Sequence, residues 1–352
     1  MKIDTTVNRK TRILVALSGG VDSSTAAALL KDAGYDVEGA TMVFKGVKQE
    51  NIDLATRVAQ NLEIPFHRVD LEKEFNKLIV DNFATEYGRG RTPNPCVLCN
   101  QLLKFDLLLK KTNITSIEKI ATGHYARIEK KDGRYLLKRG KDKNEQSYFL
   151  YRLSQEQLSK TILPLGEFTK EEVRKMARKH GLPTAKRKKS QDACFIPEGD
   201  YASFLRKLLP QEPGPVINEE GKVVGQHKGI VHYTIGQRHG LGISHKYPYY
   251  VTRIDAENNT IQVGDRKEVF KCELIATDLN FIPFDTLECD LHVTAKIRYF
   301  SPLSEACVEP MDKNSVRVIF KKPQWAITPG QSIVFYRDDL VIGGGIIEQA
   351  LD

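Results

Sequence analysis

The sequence predicts an α/β fold, a doubly wound parallel sheet followed by two small β-rich domains. Strand-like and helix-like segments alternate through the first third of the chain, and a glycine-rich turn joins the first strand to the first helix. From about Gly214, short alternating segments separated by Gly, Pro and Asn replace this rhythm. Alternating strands and helices are typical of parallel sheets, which bind ligands at the carboxyl ends of their strands.

Each predicted element has a local reason. Apolar runs predict strands over 13–17, 37–44, 66–69 and 117–122, and helical patterns over 25–31, 52–61 and 71–87. A hairpin is expected over 125–139 with its turn at Asp132-Gly133. Thr169 and Glu172 predict a capping box for a helix ending at His180. We expect a catalytic nucleotide-binding domain over 1–204, a small central β-rich domain over 205–270 and a C-terminal β-barrel-like domain over 271–352.

Composition excludes several classes of protein. The 352 residues suit two or three domains, and six Cys are too few for a disulfide scaffold. No run approaches the roughly 20 apolar residues of a membrane-spanning helix, and no signal peptide is evident. We therefore expect a cytoplasmic protein with no membrane partner. The net charge of +8 favours a polyanionic partner, most simply a nucleic acid.

The string Ser18-Gly-Gly-Val-Asp-Ser-Ser24 lies between the first strand and the first helix. Its glycines allow a sharp turn, and backbone N–H groups, hydroxyls and the helix N-terminus suit a phosphate. Asp22 would hold Mg²⁺ or orient the loop. The loop lacks the Lys of a Walker motif, and the alternative is a plain helix cap after a glycine turn. The full string resembles the PP-loop of N-type ATP pyrophosphatases, which release pyrophosphate and leave AMP on their substrate.

Two cysteines occur in polar loops. Cys99 stands just before the helix-like segment 101–110, and Cys194 follows the basic run 186–189. A helix N-terminus and nearby positive charge both stabilise a thiolate, so we expect both residues to be reactive. Three further cysteines occur in strand-like apolar contexts and are expected to be buried structural residues: Cys272, Cys289 and Cys307.

Further strings identify a family. They are Val37-Glu-Gly39, Thr92-Pro-Asn-Pro95, Leu98-Cys-Asn100, Lys104-Phe105, Ala121-Thr-Gly-His-Tyr-Ala-Arg127, Gln146-Ser-Tyr-Phe-Leu150, Ser190–Ile196, Thr234-Ile-Gly-Gln-Arg238, Thr328-Pro-Gly-Gln-Ser332 and Gly343-Gly-Gly-Ile-Ile-Glu348. With the Ser18–Ser24 loop, they cover nearly the whole chain. The chain resembles the tRNA-specific 2-thiouridylases, which replace the 2-oxygen of the wobble uridine with sulfur.

The resemblance implies a role for each matching position. Cys99 would be the nucleophile and Cys194 the bearer of a persulfide, and the two would join in a disulfide when the persulfide is resolved. ATP, with Mg²⁺, would contact Ala16, Leu17, Ser18, Gly19, Gly20, Val21, Asp22, Ser23, Met42 and Gly123. The tRNA would contact Asn94, Pro95, Cys96, His124, Asn144, Glu145, Gln146, Arg298, Tyr299 and Gln331. The implied partners are a tRNA with uridine at the wobble position and a sulfur donor, either a persulfide carrier or sulfide.

The charge pattern adds a second tRNA-binding candidate. From Arg174 to Lys189 there are eight Lys or Arg and no acidic residue. Because this run leads to Cys194, we expect Lys186, Arg187, Lys188 and Lys189 to contact tRNA phosphates, the alternative being a solvated face. The aromatic rings of Tyr233 and Tyr299 are candidate stackers on a base or ribose, or core residues.

Cys96 departs from the family pattern, which has Asp at this position as an acid/base group. The change creates Cys96-x-x-Cys99 and, with Cys194, a set of three thiols. Four arrangements are open: a [4Fe-4S] cluster with one free iron, zinc with His124 or water as fourth ligand, a disulfide within the pair, and the two-cysteine persulfide relay. We favour the cluster, held by Cys96, Cys99 and Cys194 as metal ligands, over the relay.

Two other functions compete with tRNA 2-thiouridine synthesis. One is a different PP-loop adenylating synthetase of the amidotransferase type, which leaves the two reactive cysteines without a purpose. The other is a non-catalytic RNA-binding protein. Release of pyrophosphate from ATP that depends on tRNA would separate the predicted sulfurtransferase from both.

Overall fold

A computed structural model describes residues 11–112, 116–187, 194–196, 200–210, 212–244 and 246–351. These described residues form two compact units, the first within the ranges 11–78, 96–195 and 339–341, the second within 79–95, 196–338 and 342–351. The division into three domains at 204 and 270 remains a prediction. Within the described ranges, no helix has the length and apolar character needed to cross a membrane.

A five-stranded parallel sheet forms the core of the first unit, which confirms the predicted fold class. The strands of this unit in chain order are β1 (Arg12–Ala16), β2 (Asp36–Val43), β3 (Phe66–Asp70), β4 (Lys119–Ala121), β5 (Ala126–Lys131), β6 (Arg134–Arg139) and β7 (Thr161–Ile162). The sheet has the order β3-β2-β1-β4-β7. Strand β1 pairs with β2 on one side and β4 on the other, so the strand order reverses there. Parallel sheets place their ligand crevice at the carboxyl end of such a reversal.

The predicted hairpin is confirmed. Strands β5 and β6 pair antiparallel, with Lys131 opposite Arg134. Asp132 and Gly133 between them both have positive φ, at 49° and 80°. These angles suit Gly and are tolerated by Asp, which explains why this dipeptide predicts the turn.

Helices occur in both units of the described chain. In chain order they are α1 (Val21–Asp32), α2 (Gln49–Asn61), α3 (Glu72–Phe75), α4 (Asp81–Gly88), α5 (Pro95–Leu98), α6 (Leu108–Lys111), α7 (Gln155–Lys160), α8 (Lys170–Lys179) and α9 (Tyr201–Arg206). Helix α1 begins four residues earlier than predicted, so Asp22, Ser23 and Ser24 lie in its first turn rather than in the loop. Helix α8 has the predicted capping box between Thr169 and Glu172.

Two π-helical segments interrupt the helical run predicted over 71–87 and the one predicted over 101–110. Asn76–Val80 joins α3 to α4, and Cys99–Leu107 joins α5 to α6. The second run therefore begins at Pro95, earlier than predicted, and Cys99 lies one turn inside it. Single π turns inside helices recur at functional sites because they redirect side chains.

The second unit holds the β-rich part of the chain. Its strands are β8 (Gly214–Ile217), β9 (Val223–His227), β10 (Tyr250–Asp255), β11 (Thr260–Gly264), β12 (Phe270–Phe281), β13 (Leu291–Lys296), β14 (Ser304–Pro310), β15 (Ser315–Trp325), β16 (Ser332–Arg337) and β17 (Leu340–Leu351), the last of which starts in the first unit. One sheet has the order β10-β11-β8-β9. Strands β12-β15-β14-β13-β16-β17 follow one another in a ring that pairing of β12 with β17 closes. A closed ring leaves no open sheet edge, as the predicted barrel requires.

We predict that Thr169→Ala lowers the stability of the first unit by about 1 kcal/mol, because the N-terminus of α8 loses its cap. The Thr169 hydroxyl accepts from the Glu172 backbone N–H at 3.3 Å. Thermal unfolding of the full chain measures the effect, expected as a fall in Tm of about 2–4 °C. Thr169→Ser keeps the hydroxyl and should melt like the parent, and an equal loss in both variants would contradict the capping role.

Candidate active site

The loop after β1 presents the N-terminus of α1 at the carboxyl edge of the sheet. Gly19 has φ of +69°, and a Cβ there would lie 2.3 Å from the Asn51 carbonyl oxygen, so only Gly fits. Ser23 Oγ accepts from the Ser18 backbone N–H at 3.2 Å. Among the described residues no side chain caps the N-terminus of α1. Its first-turn N–H groups are thus oriented for an anion, and the loop fits the phosphates of a nucleotide.

The Asp22 carboxylate is bound on two sides. Lys170, at the start of α8, donates to both carboxylate oxygens at 2.6 Å, and the Tyr125 hydroxyl donates to one of them at 2.7 Å. Burial and the Asp22 charge raise the pKa of Tyr125, which therefore stays a neutral donor. The contacts support the loop-orienting role for Asp22 and place a lysine at a loop whose sequence has none.

Strand β4 ends against the same helix. A Cβ on Gly123 would lie 2.6 Å from the backbone of Asp22 and Ser23, so the strand can approach α1 here only with Gly. His124 follows, with its Nδ1 2.7 Å from the Thr122 hydroxyl. Burial, with a smaller contribution from Lys104, holds the pKa of His124 well below its usual value. His124 is therefore neutral at physiological pH and able to bind a metal or a polar base edge.

The segment that carries Cys194 is anchored by its neighbour. Phe195 is buried, with its ring 5.4 Å from that of Phe75, on which Phe44 stacks at 3.8 Å. A Cβ at Gly46, just beyond β2, would lie 2.8 Å from the Phe195 Cα. This packing holds Cys194 at the carboxyl edge of the sheet, the edge that also carries the phosphate loop.

Arg187 connects the basic run to that loop. Its guanidinium donates to the Gly19 carbonyl at 2.7 Å and to the Asn51 side chain. Its contact with tRNA remains a prediction, as does that of Lys186. Lys188 and Lys189 lie outside the described residues, as do Ser190 to Ala193 of the Cys194 motif.

The π segment brings a lysine to the cysteines. Its hydrogen bonds span five residues, so Cys99 and Lys104 lie close to one another on the same face of the helix. Lys104 Nζ donates to the Asn100 side chain at 2.7 Å, which directs the ammonium group toward the thiols. Burial is the largest influence on the pKa of Cys96, Cys99 and Cys194 and raises it, and the Lys104 charge opposes this rise in each thiol.

The three predicted cysteines come together, but not as thiolates. Burial raises the pKa of Cys99 to about 12 and that of Cys194 to about 11, and Cys96 adds to both. Burial also raises the pKa of Cys96. Cys96 and Cys194 reach solvent, yet the surrounding protein excludes most of the water that would stabilise a negative charge. The expectation of stabilised thiolates was therefore wrong, because desolvation outweighs the helix terminus and the single nearby lysine.

All six cysteines are free thiols, including the pair predicted to join in a disulfide. The three Sγ atoms of Cys96, Cys99 and Cys194 do not all lie within 4.8 Å of one another; among the described residues only a set elsewhere in the chain is that compact. Tetrahedral zinc holds its thiolates about 3.8 Å apart, given Zn–S bonds near 2.3 Å. A cluster binds each thiolate on a different iron and suits the wider spacing better.

The other cysteines differ from expectation. Cys272 and Cys289 are exposed, although burial was expected. Cys272 lies on β12, where pairing shifts register between Lys271 and Glu273, so the alternation that predicts burial fails there. Cys307 is half-buried.

The predicted tRNA contacts of the first unit are ordered by local bonds. Asn144 donates to Asp142, Gln146 accepts from the Tyr125 N–H, and the buried Glu145 carboxylate accepts from Ser147. The Glu145 side chain thus holds the loop in shape from its buried side.

Met42, a predicted ATP contact, lies near the end of β2, where it pairs with Val69 of β3.

Two predicted contacts of the second unit support backbone. Gln331 Nε2 donates to the Thr92 carbonyl at 2.8 Å, which fixes the chain just before Asn94 and Pro95. Arg298 donates to the Ala326 carbonyl and to the Thr328 hydroxyl. Their roles toward tRNA remain predictions.

The two aromatic candidates differ in exposure. Tyr299 is half-buried beside the exposed Phe300, at a centroid separation of 4.7 Å. Tyr233 is 5% exposed and packs in the core of the second unit, so it is a core residue and the stacking alternative was wrong.

Comparison with known proteins identifies the family. The profile described as "tRNA methyl transferase HUP domain" matches residues 11–198, and two further profiles, described as "tRNA methyl transferase PRC-barrel domain" and "Aminomethyltransferase beta-barrel domain", match 202–265 and 271–347. "tRNA-specific 2-thiouridylase MnmA" of Caldicellulosiruptor saccharolyticus is 49% identical, with 97% of this chain and 99% of the relative covered. The chain belongs to the tRNA-specific 2-thiouridylase family.

A second family member gives the same result. The 2-thiouridylase of Halothermothrix orenii is 47% identical, with 96% of this chain and 99% of the relative covered. Among solved structures, "U34-tRNA thiolase NcsA from Methanococcus maripaludis with its [4Fe-4S] cluster" is 20% identical with a TM-score of 0.37, covering 57% of this chain and 65% of that chain. So distant a likeness carries no argument about this chain.

Two lysines of the candidate site carry no sequence signal of their own. Lys104 belongs to a matching string, and Lys170 lies in a helix predicted from its capping box. On an ordinary α-helix, residues five positions apart are not neighbours, so the spacing of Lys104 from Cys99 does not indicate a contact. The π turn makes them neighbours. Lys170 contacts Asp22 across 148 positions of sequence, which no local pattern indicates.

We predict that Lys104→Gln slows alkylation of Cys99 by iodoacetamide several-fold at pH 8, because the lost charge raises an already high thiol pKa and lowers the thiolate fraction. In the parent, the rate should keep rising to at least about pH 10, since thiolate forms only as the pH approaches the raised pKa. Mass spectrometry of each cysteine peptide gives the rates.

Two variants control this experiment. Lys104→Arg keeps the charge and should alkylate nearly like the parent. Lys110→Gln removes an exposed lysine of the same helical run that pairs with Asp106. If Cys99 reacts at the parental rate in Lys104→Gln, or if Lys110→Gln slows it equally, Lys104 does not control the thiols.

Proposed function

We propose that this protein synthesises 2-thiouridine at wobble uridine 34 of tRNA, using ATP with Mg²⁺ and a sulfur atom delivered at its cysteines. Family membership supports the reaction. The observation that carries it is the presence, at one edge of one sheet, of a loop shaped for phosphates and three converging thiols. An adenylating enzyme without sulfur chemistry has no use for the thiols, and a non-catalytic RNA-binding protein has no use for the loop.

The first stage activates the uridine oxygen. The C2 oxygen attacks the α-phosphorus of ATP, AMP becomes bonded to that oxygen, and pyrophosphate leaves. The N-terminus of α1 and the Ser18–Ser24 loop bind the phosphates, and Lys170 adds a positive charge beside Asp22. Asp22 lies in the first turn of α1, beside the phosphate-binding loop, and Mg²⁺ bound with ATP there would supply positive charge for the pyrophosphate group. The uridine must be unstacked to reach this site, as in other base-modifying enzymes.

The second stage replaces oxygen by sulfur. A sulfur nucleophile at Cys194 attacks C2, and AMP leaves with the former oxygen. If the sulfur arrives as a persulfide, Cys99 attacks Cys194 Sγ, the sulfur–sulfur bond of the persulfide breaks, and a Cys99–Cys194 disulfide forms that an external thiol must reduce. A persulfide carrier or sulfide supplies the sulfur.

The raised pKa values favour the cluster over this relay. A thiol with a pKa of about 12 is almost fully protonated at neutral pH, so Cys99 is a poor nucleophile there. Metal binding removes that penalty, because a coordinated thiol loses its proton outright. We therefore propose that Cys96, Cys99 and Cys194 would hold a [4Fe-4S] cluster, which would supply an open iron for the sulfur. His124, neutral and hydrogen-bonded to Thr122, would contact the target base.

Each unit contributes its own tRNA-binding residues in this proposal. In the first unit, Lys186 and Arg187 contact tRNA phosphates. In the second unit, Arg298, Tyr299 and Gln331 contact the tRNA. We also propose that the protein acts in the cytoplasm, where reduced thiols and tRNA coexist.

We predict that Cys194→Ala still releases pyrophosphate from ATP when tRNA is present, but loses at least about 100-fold of its thiolation activity. The first stage needs the loop and the uridine, and only the second needs the thiol. Pyrophosphate release and mass spectrometry of digested tRNA measure the two stages separately. The control Cys272→Ala changes an exposed thiol of the second unit and should behave as the parent. Pyrophosphate release without any tRNA dependence would contradict the proposed substrate.

We predict that anaerobically purified protein contains about four iron and four sulfide per chain, and that Cys96→Asp, which restores the family residue, loses most of it. Metal and acid-labile sulfide analysis gives the contents, with Cys289→Ser as a matched control that keeps its iron. Colourless, iron-free protein that thiolates tRNA at full rate would exclude the cluster and leave the relay.

A further inference from the structure

A second set of metal-ligating side chains lies in the second unit, on the barrel. The ligand atoms of Asp290, Cys307 and Glu309 all lie within 4.8 Å of one another. Asp290 immediately precedes β13, and the other two residues are on β14. None of them belongs to the strings that identify the family, so the proposed thiolation chemistry does not account for them.

Strand register explains why they meet. Strands β13 and β14 pair antiparallel, with Leu291 opposite Val308 and His292 opposite Cys307. One step further along the same register, Asp290 faces Glu309. Successive side chains of a strand point to opposite faces, and Val293 and Val308 are buried in the core. Asp290 and His292 on one side, and Cys307 and Glu309 on the other, therefore lie on the outer face of the barrel.

The chemistry of this set suits a borderline divalent cation. Carboxylate oxygens and a cysteine thiolate are donors that zinc accepts, and a three-ligand zinc site keeps a fourth position for water. Burial and the charges of Asp290 and Glu309 raise the pKa of Cys307, while a hydrogen bond from the Leu291 backbone favours its thiolate. Negative charges converge here, and a cation relieves their repulsion.

The neighbouring strand supports the ligands. Arg317 on β15 is paired in register with Glu309, and its guanidinium lies 3.8 Å from that carboxylate. It is held in turn by Glu273 at 2.5 Å. Ligating carboxylates commonly have such outer partners, which orient them.

We propose that Asp290, Cys307 and Glu309 bind one divalent cation of the zinc class, with water completing the coordination. The ion joins β13 to β14 on the outside of the barrel. Because Cys307 must lose its proton to bind, affinity rises with pH below the pKa of that thiol.

Cobalt(II) tests the site, since a cobalt–thiolate bond gives a near-ultraviolet charge-transfer band that carboxylates alone do not give. The full chain with Cys96, Cys99 and Cys194 replaced by Ser removes the other candidate thiol ligands. Anaerobic titration should show one cobalt bound with this band, tighter at pH 8 than at pH 6. Cys307→Ser should lose the band and weaken binding at least about tenfold, whereas Cys272→Ser should retain both.

A carboxylate variant completes the test. Glu309→Gln keeps the thiol and should weaken binding at least about tenfold. Glu305→Gln is the matched control, because Glu305 lies on the same strand and pairs with Lys321. Circular dichroism confirms that each variant is folded. Absence of the charge-transfer band in the starting protein, its survival in Cys307→Ser, or equal weakening by Glu305→Gln would overturn the proposal.

Discussion

The close approach of β4 to the N-terminus of α1 is the constraint on which the site depends. Gly123 allows it, since any side chain there would collide with the backbone of Asp22 and Ser23. The contact brings the end of β4 to the end of β1, where the strand order reverses. His124 and the phosphate loop therefore share one edge of the sheet, and the loop keeps its first-turn N–H groups directed at a ligand.

Two lysines supply positive charge at this edge of the sheet. Lys170 compensates Asp22, so the loop gains a cation without having a lysine of its own. Lys104 faces three thiols, but one ammonium group does not offset their desolvation. Thiols so placed are weak nucleophiles and good metal ligands, because a metal ion supplies the positive charge that the protein does not. The same electrostatic argument applies to the three thiols of the site and to Cys307 on the barrel.

Several elements were predictable because their causes are local. The Asp132-Gly133 turn and the capping box of α8 each depend on residues at most three positions apart, and both were confirmed. Predictions that depended on three-dimensional surroundings failed more often. The start of α1 at Val21, the π turn after Leu98 and the exposure of Cys272 all follow from contacts that local patterns do not contain.

The sequence by itself determined the fold class and singled out the glycine-rich loop and three candidate site cysteines, since each is carried by residue types in a short, ordered string. Only the tertiary structure decided the protonation of those cysteines, the partner of Asp22 and the nearness of Lys104. The register that gathers Asp290, Cys307 and Glu309 also belongs to the tertiary level. Desolvation, ion pairing and cross-strand register depend on which residues lie close together in three dimensions. Residues far apart in the sequence come close only when the chain packs into its fold.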